Sequence, residues 1–241
     1  MTLLTTTTPV LIFIPAFNEE GCIYQVVRNV KNSVPKADIL VIDDGSLDKT
    51  ADNAQAAGAM VLRHPFNLGI GGAMQSGLRY ACLYDYDYAI RLDGDGQHDA
   101  KEIESLLRVL YDKKADMVVG SRFLDFPAGW RIPLARRLGI WLYATTVSAV
   151  IGQHLTDATS GFCGYNRRAN QVLATYLPQD YPDVESRIIV YKAGLTQVEL
   201  PVHMYARITG ESSINRLRSI YYAFKVTIAV LTSAMKEIRM A

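Results

Sequence analysis

Five short runs of β-branched and aliphatic residues recur through the first half of the chain: Val10–Ile14, Ile39–Ile42, Met60–Leu62, Tyr88–Leu92 and Met117–Val119. Helical segments separate them: Glu19–Asn32, Leu47–Ala57 with Ser46 as its N-cap, Gly72–Leu83 and Ala100–Tyr111. Strands that alternate with helices cannot pair as tight hairpins; each crossover returns the chain parallel and lays a helix on a sheet face. Near-continuous apolar strands fit a sheet covered on both faces. The expected fold is therefore α/β, a Rossmann-like, mostly parallel sheet with flanking helices in a single domain. Beyond Arg122 the pattern predicts a helical stretch from Trp130 to Ile151, a strand-like piece at Thr159–Tyr165, a helix around Val184–Ala193 and a strand Gln197–Val202. A closing helix runs from Ile214 to Met240.

With 241 residues, 49% of them hydrophobic, the chain can bury one sizeable core. Residues 1–211 read as the main domain, and 212–241 as a C-terminal amphipathic helix. The formal net charge of +1 gives no bulk field for gripping nucleic acid. Cys22, Cys82 and Cys163 are few, odd in number and scattered, as in a reducing compartment. The run Thr2–Asn18 has no basic start and reads as a buried strand rather than a secretory signal. Leu138–Thr156 carries no charged side chain, yet Thr145, Thr146, Ser148, Gln153 and His154 make it a buried or interfacial helix rather than a span. The expected location is the cytoplasm, with the inner face of the cell membrane as a place of work.

In an open α/β sheet, ligands bind beyond the carboxyl ends of the strands. The unusual polar residues fall there: Pro15–Glu20 after the first strand, Asp43–Ser46 after the second, Asp93–His98 after the fourth and Gly120–Arg122 after the fifth. Asp93 and Asp95, with Gly94 between them, can direct two hard oxygens at one divalent cation, with Gln97 as a third donor. Mg²⁺ or Mn²⁺ held by so few protein oxygens leaves positions that a diphosphate fills. Asp43-Asp44-Gly45-Ser46 reads either as a capping turn or as acids that hold a base or ribose. Asn67–Gly72 is neither a P-loop nor GxGxxG, and reads as a tight turn with a helix N-terminus facing the ligand. The four histidines form no paired metal spacing, with His98 the one exception as a ligand, and no GxSxG elbow supports a serine hydrolase.

Seven stretches in order, IPAFNEE (14–20), VIDDGSLDKT (41–50), NLGIGGAMQSGL (67–78), RLDGDGQH (91–98), ADMVVGSRF (115–123), TDATSGFCGYNRRA (156–169) and VELPVHMYARITGESSI (198–214), resemble family 2 glycosyltransferases of the GT-A fold. The nearest branch is that of dolichyl-phosphate mannosyltransferase, which glycosylates polyprenyl phosphate. The resemblance implies that Pro15, Phe17, Glu19, Ile42 and Asp44, with Asp93 and Gly94, hold the nucleotide-sugar. It implies that Asp93, Asp95 and Gln97 hold the metal. Arg122, Ser160 and Arg207 match phosphate-holding positions, with Arg137 beside them; Asp95, Arg122 and Arg207 carry the catalytic roles. Where that family commonly reads SGFR, this chain has Cys163.

The implied reaction is metal-dependent, inverting transfer from a nucleoside diphosphate-sugar to a polyprenyl phosphate or lipid-linked glycan. The alternatives are a transferase that extends a polysaccharide on a sugar hydroxyl, with Asp157, Asp183 or Glu185 as proton acceptor, and an inactive nucleotide-sugar-binding module. The closing helix, net +4 from Ser212 onward, fits packing on the domain or a second subunit, and equally a peripheral contact with an anionic membrane.

Overall fold

The computed structural model describes residues 9–124 and 134–205, together with Thr232 and Ile238; within 134–151 side chains are described from Gly139 onward. Seven strands form one sheet among these residues: β1 (Val10–Ala16), β2 (Asp38–Asp43), β3 (Met60–Arg63), β4 (Tyr88–Arg91), β5 (Met117–Ser121), β6 (Cys163–Asn166) and β7 (Gln197–Pro201). Their spatial order is β3-β2-β1-β4-β6-β5-β7. β1 pairs parallel with β2 and β4, β2 with β3, and β5 with β7. Only β6 runs antiparallel, to both its neighbours, with Cys163 opposite Arg91 and Val119. The sheet is thus mostly parallel, in the GT-A manner.

Seven helices cover it among the described residues: α1 (Ile23–Ser33), α2 (Thr50–Ala56), α3 (Gly69–Leu83), α4 (Ile103–Tyr111) preceded by a 3₁₀ turn at Ala100–Glu102, α5 (Leu134–Ile151), α6 (Arg167–Tyr176) and α7 (Pro182–Lys192). Because side chains alternate along a strand, β1 feeds two cores. Ile12 and Ile14 join Val41, Ile90 and Val118 against α1 and α4. Leu11 and Phe13 join Leu40, Met74, Met117 and Leu173 against α3 and α6. The stripe Ile23, Val26, Val27 and Val30 gives α1 its buried face. A third cluster, from Tyr143 and Val147 to Val184 and Ile188, joins α5 to α7.

Several expected boundaries shift for identifiable reasons. α1 begins at Ile23 rather than Glu19 because the Glu19 and Glu20 amides donate to Thr50 Oγ1 and an Asp48 carboxylate oxygen (2.8 and 3.1 Å), joining the loops after β1 and β2. α2 begins at Thr50, so Ser46 is not its cap; the Ser46 hydroxyl accepts from the Asn18 amide at 2.9 Å. α6 was not foreseen, although Asn166 caps it by accepting from the Ala169 amide at 3.0 Å. The expected closing helix, and the division at 211/212, lie outside the described residues. No helix among the described residues is long and apolar enough to cross a membrane.

Candidate active site

The chain steps outward from β1 to β2 to β3, then returns to β4 on the other side of β1. The loops after β1 and β4 therefore diverge, and a crevice opens at the carboxyl ends of these strands. Pro15 lies at the end of β1 where only β2 still pairs with it, so its missing N–H costs no β4 bond. Gly94 closes the other wall: a Cβ there would stand 3.2 Å from both Pro15 O and Ala16 Cβ. Phe17 projects from the rim, 46% exposed.

The loop after β4 is organised by a buried cation. The Arg91 side chain is 2% exposed and donates through Nη2 to Asp93 Oδ1 (3.0 Å), while Nη1 bonds Asp183 Oδ1 and lies 2.8 Å from the Met74 sulfur. Burial works against the ionised carboxylate of Asp93, but Arg91 and its cationic neighbours overcome it and hold the group below the usual range. For Asp183 burial wins over Arg91 and its carboxyl is raised. The Asp93 amide donates to His98 Nδ1 at 3.2 Å; the His98 ring stacks on Phe162 at 5.1 Å, and burial pushes its pKa below the ordinary imidazole value. His98 therefore props the loop with its Nδ1.

Asp95 is buried, with Oδ1 accepting from the Gln97 amide at 3.1 Å. The segment His203–Tyr205 clasps this loop. Tyr205 donates its amide to Gln97 O (2.8 Å) and its hydroxyl to Asp99 (2.8 Å), and its carbonyl accepts from Gln97 Nε2 (3.1 Å). Arg207, two positions further on, lies outside the described residues; so does the side chain of Arg137, which falls within α5.

Arg122, after β5, forks onto Asp157: Nε to Oδ2 at 2.6 Å and Nη2 to Oδ1 at 2.7 Å, with Nη2 also 2.7 Å from Thr159 Oγ1. Beneath it Glu199 accepts from the Asp157 and Thr156 amides, and the buried Arg187 donates to Asp157 O at 2.9 Å. This network fixes the guanidinium from below, as planar bidentate pairing requires. It also corrects one expectation, because Asp157 is wholly buried and bound to Arg122 and cannot serve as a proton acceptor. Glu185, a second such candidate, is buried within α7.

The loop after β2 is tied to the start of α3. Asp44 is only 3% exposed and accepts from His64 Nδ1 (2.7 Å) and the amides of Leu68 (2.9 Å) and Gly69 (2.8 Å). It therefore holds the start of α3. His64 Nε2 in turn meets Ser76 Oγ at 2.9 Å, but that hydroxyl is also 3.1 Å from Gly72 O inside the helix, so the line is a structural brace. Ile42 is a core side chain, and the buried Ser160 hydroxyl accepts from the Phe162 amide within its own loop. Both side chains are buried.

Asp93 and Asp95 both lie in the loop after β4, Asp93 one-third exposed and Asp95 buried, with Gln97 bonded to Asp95. No group of three His, Cys, Asp or Glu among the described residues could hold a metal alone. Such a donor set fits a hard divalent ion whose remaining positions are filled by water and substrate oxygens.

The fold and its likenesses define the class: a glycosyltransferase. Residues 11–173 match the family model for glycosyl transferase family 2, and the chain belongs to that family. It is 33% identical over 224 residues to an uncharacterized protein of Methanocaldococcus jannaschii, covering 92% of this chain and 90% of that one. It is 30% identical over 222 residues to undecaprenyl-phosphate mannosyltransferase of Micrococcus luteus, covering 86% and 87%. Among solved structures, glucosyl-3-phosphoglycerate synthase from Mycobacterium tuberculosis, in complex with Mn²⁺, UDP and glucosyl-3-phosphoglycerate, superposes with a TM-score of 0.70 at 20% identity, covering 95% of this chain and 80% of that one.

Proposed function

We propose that this transferase moves a sugar from a nucleoside diphosphate-sugar to a polyprenyl phosphate, with inversion at the anomeric carbon. An acceptor phosphate oxygen attacks that carbon as its bond to the diphosphate breaks, and the nucleoside diphosphate departs. The observation that carries this reading is the state of the carboxylates expected as bases: Asp157 is bound to Arg122 and Glu185 is buried in α7, which leaves only Asp183, itself bonded to Arg91. A sugar hydroxyl must lose a proton, whereas a phosphate arrives ionised and needs no base. The relatives support the same choice, since undecaprenyl-phosphate mannosyltransferase is among them.

A divalent cation, Mg²⁺ or Mn²⁺, held by Asp93 and Asp95 with Gln97 would neutralise the charge that develops on the leaving diphosphate. Phe17, with Pro15 and Glu19 at the end of β1, borders the donor side of the crevice. Arg122, and Arg207 and Arg137 by resemblance, supply cations for acceptor or donor phosphate. A lipid acceptor places the enzyme at a membrane face, as a peripheral contact.

One observation favours a second reading, transfer to a sugar hydroxyl: Asp183 is 25% exposed at the crevice and its carboxyl is raised by burial, as befits a proton acceptor. The purified chain, supplied with Mn²⁺ and a panel of UDP-, GDP- and dTDP-sugars, should glycosylate a short polyprenyl phosphate and leave free oligosaccharides untouched. Transfer only to the oligosaccharides would replace the first reading with the second.

A further inference from the structure

The cation that holds the crevice together belongs to none of the expected site residues. Arg91 lies inside the molecule, at 2% exposure, while the two carboxylates that it bonds, Asp93 and Asp183, are 33% and 25% exposed. The guanidinium thus stands behind the crevice, and both acids lie between it and solvent. Asp93 extends from the β4 loop and Asp183 from the first turn of α7. Met74 of α3 gives the same guanidinium its third contact.

Stability alone does not explain such a group. A buried ion pair seldom outperforms apolar residues of the same volume, since desolvation consumes the Coulombic gain. Here the cost is increased by Arg91 Nε, which is buried with no hydrogen-bond partner. The neighbouring strand is nevertheless built to accommodate the pair. Cys163 is the antiparallel partner of Arg91, so both side chains share a face. Cys163 is a small thiol there, which leaves the guanidinium of Arg91 room on that face. Two residues earlier, a Cβ on Gly161 would stand 2.5 Å from Asp93 Oδ2 and 2.9 Å from Arg91 Nη2.

We propose that Arg91 is a positioning residue: by bonding Asp93 and Asp183 together from behind, it presents the Asp93 carboxylate pre-oriented for the metal–diphosphate group of the donor. Asp183 is then the anchor of Arg91. The inference rests on the donor-site reading above and adds a residue to it. Fixing one carboxylate oxygen removes rotamer freedom that metal binding would otherwise have to restrain, and outer partners of this kind act on metal affinity. Lysine cannot substitute, because a compact ammonium lacks the planar fork that reaches two acids at once.

The test is calorimetric titration of UDP, GDP, CDP and dTDP into the full chain, with Mn²⁺ and with EDTA, for the wild type, Arg91→Lys and Asp183→Asn. The quantity read is the gain in affinity that Mn²⁺ confers on the best-bound nucleotide. Both variants should keep the EDTA affinity and lose the Mn²⁺ gain, by roughly tenfold or more in Arg91→Lys and in the same direction in Asp183→Asn. If Arg91→Lys does not fold, Asp183→Asn alone decides. An undiminished gain overturns the proposal, and so does an equal loss with and without Mn²⁺, the mark of a general packing defect. Lost turnover in Asp183→Asn with a full Mn²⁺ gain would make Asp183 a proton acceptor and likewise overturn it. A wild-type chain with no Mn²⁺ gain would refute the donor-site reading itself, an outcome distinct from failure of the variants.

Discussion

Single residues divide into those that present chemistry and those that hold loops, and the two kinds fail differently. Asp95→Ala removes a hard-oxygen donor at the crevice; turnover should vanish while the far-ultraviolet circular dichroism and melting temperature stay close to wild type. Asp44 is of the other kind. Its carboxylate takes the amides of Leu68 and Gly69, at the start of α3, and His64, so Asp44→Ala should cost about 2 kcal/mol or more in urea unfolding, because buried donors are left unsatisfied. In sequence these acids look alike, each following an apolar strand. Only the fold shows that Leu68 and Gly69 arrive 24 and 25 residues later to occupy Asp44. Arg91 was hidden for the converse reason: a lone charge at the end of YAIR reads as the edge of a strand until Asp183, 92 residues away, is placed beside it.

At the scale of elements, apolar runs place six of the seven strands to within two residues, because a two-sided core demands such runs. β6 was legible only as a strand-like piece. Its antiparallel direction follows from α5 and the long return of the chain, which no local pattern encodes. β1 is the element on which both cores depend, and Phe13 stacks on Tyr165 at 6.4 Å across the sheet. Phe13→Ala should destabilise the protein by about 3–5 kcal/mol in equilibrium unfolding. Gly161→Ala should both destabilise the protein, by about 1–3 kcal/mol, and weaken Mn²⁺-dependent nucleotide binding, since the added methyl would stand 2.5 Å from Asp93 Oδ2 and 2.9 Å from the buried Arg91.

For the whole molecule, the pH dependence of stability follows from acids that the fold holds below their ordinary range. Burial opposes ionisation of Asp116, but hydrogen bonds from Thr196 and Asn166 and the charge of Arg168 overcome it and lower its pKa. In the unfolded chain Asp116 titrates near 4. Above that value both states are ionised and the stabilisation is complete; as pH falls toward the folded value, the unfolded state gains the proton first and stability is lost. Asp116→Asn should be less stable than wild type at pH 7, and its loss of stability below about pH 4 should be shallower, as denaturant titrations at each pH would measure. The carboxyl ends of β1, β4 and β5, with the clasp at Tyr205, lie at one edge of the sheet, where the proposed reaction brings donor and acceptor together. The most direct measurement is mass spectrometry of the product formed by the purified chain from a nucleoside diphosphate-sugar, Mn²⁺ and an equimolar mixture of a polyprenyl phosphate and its dephosphorylated alcohol. The expected result is one hexosyl unit on the phosphate alone, abolished by EDTA. Equal glycosylation of the alcohol, or undiminished transfer in EDTA, would contradict it.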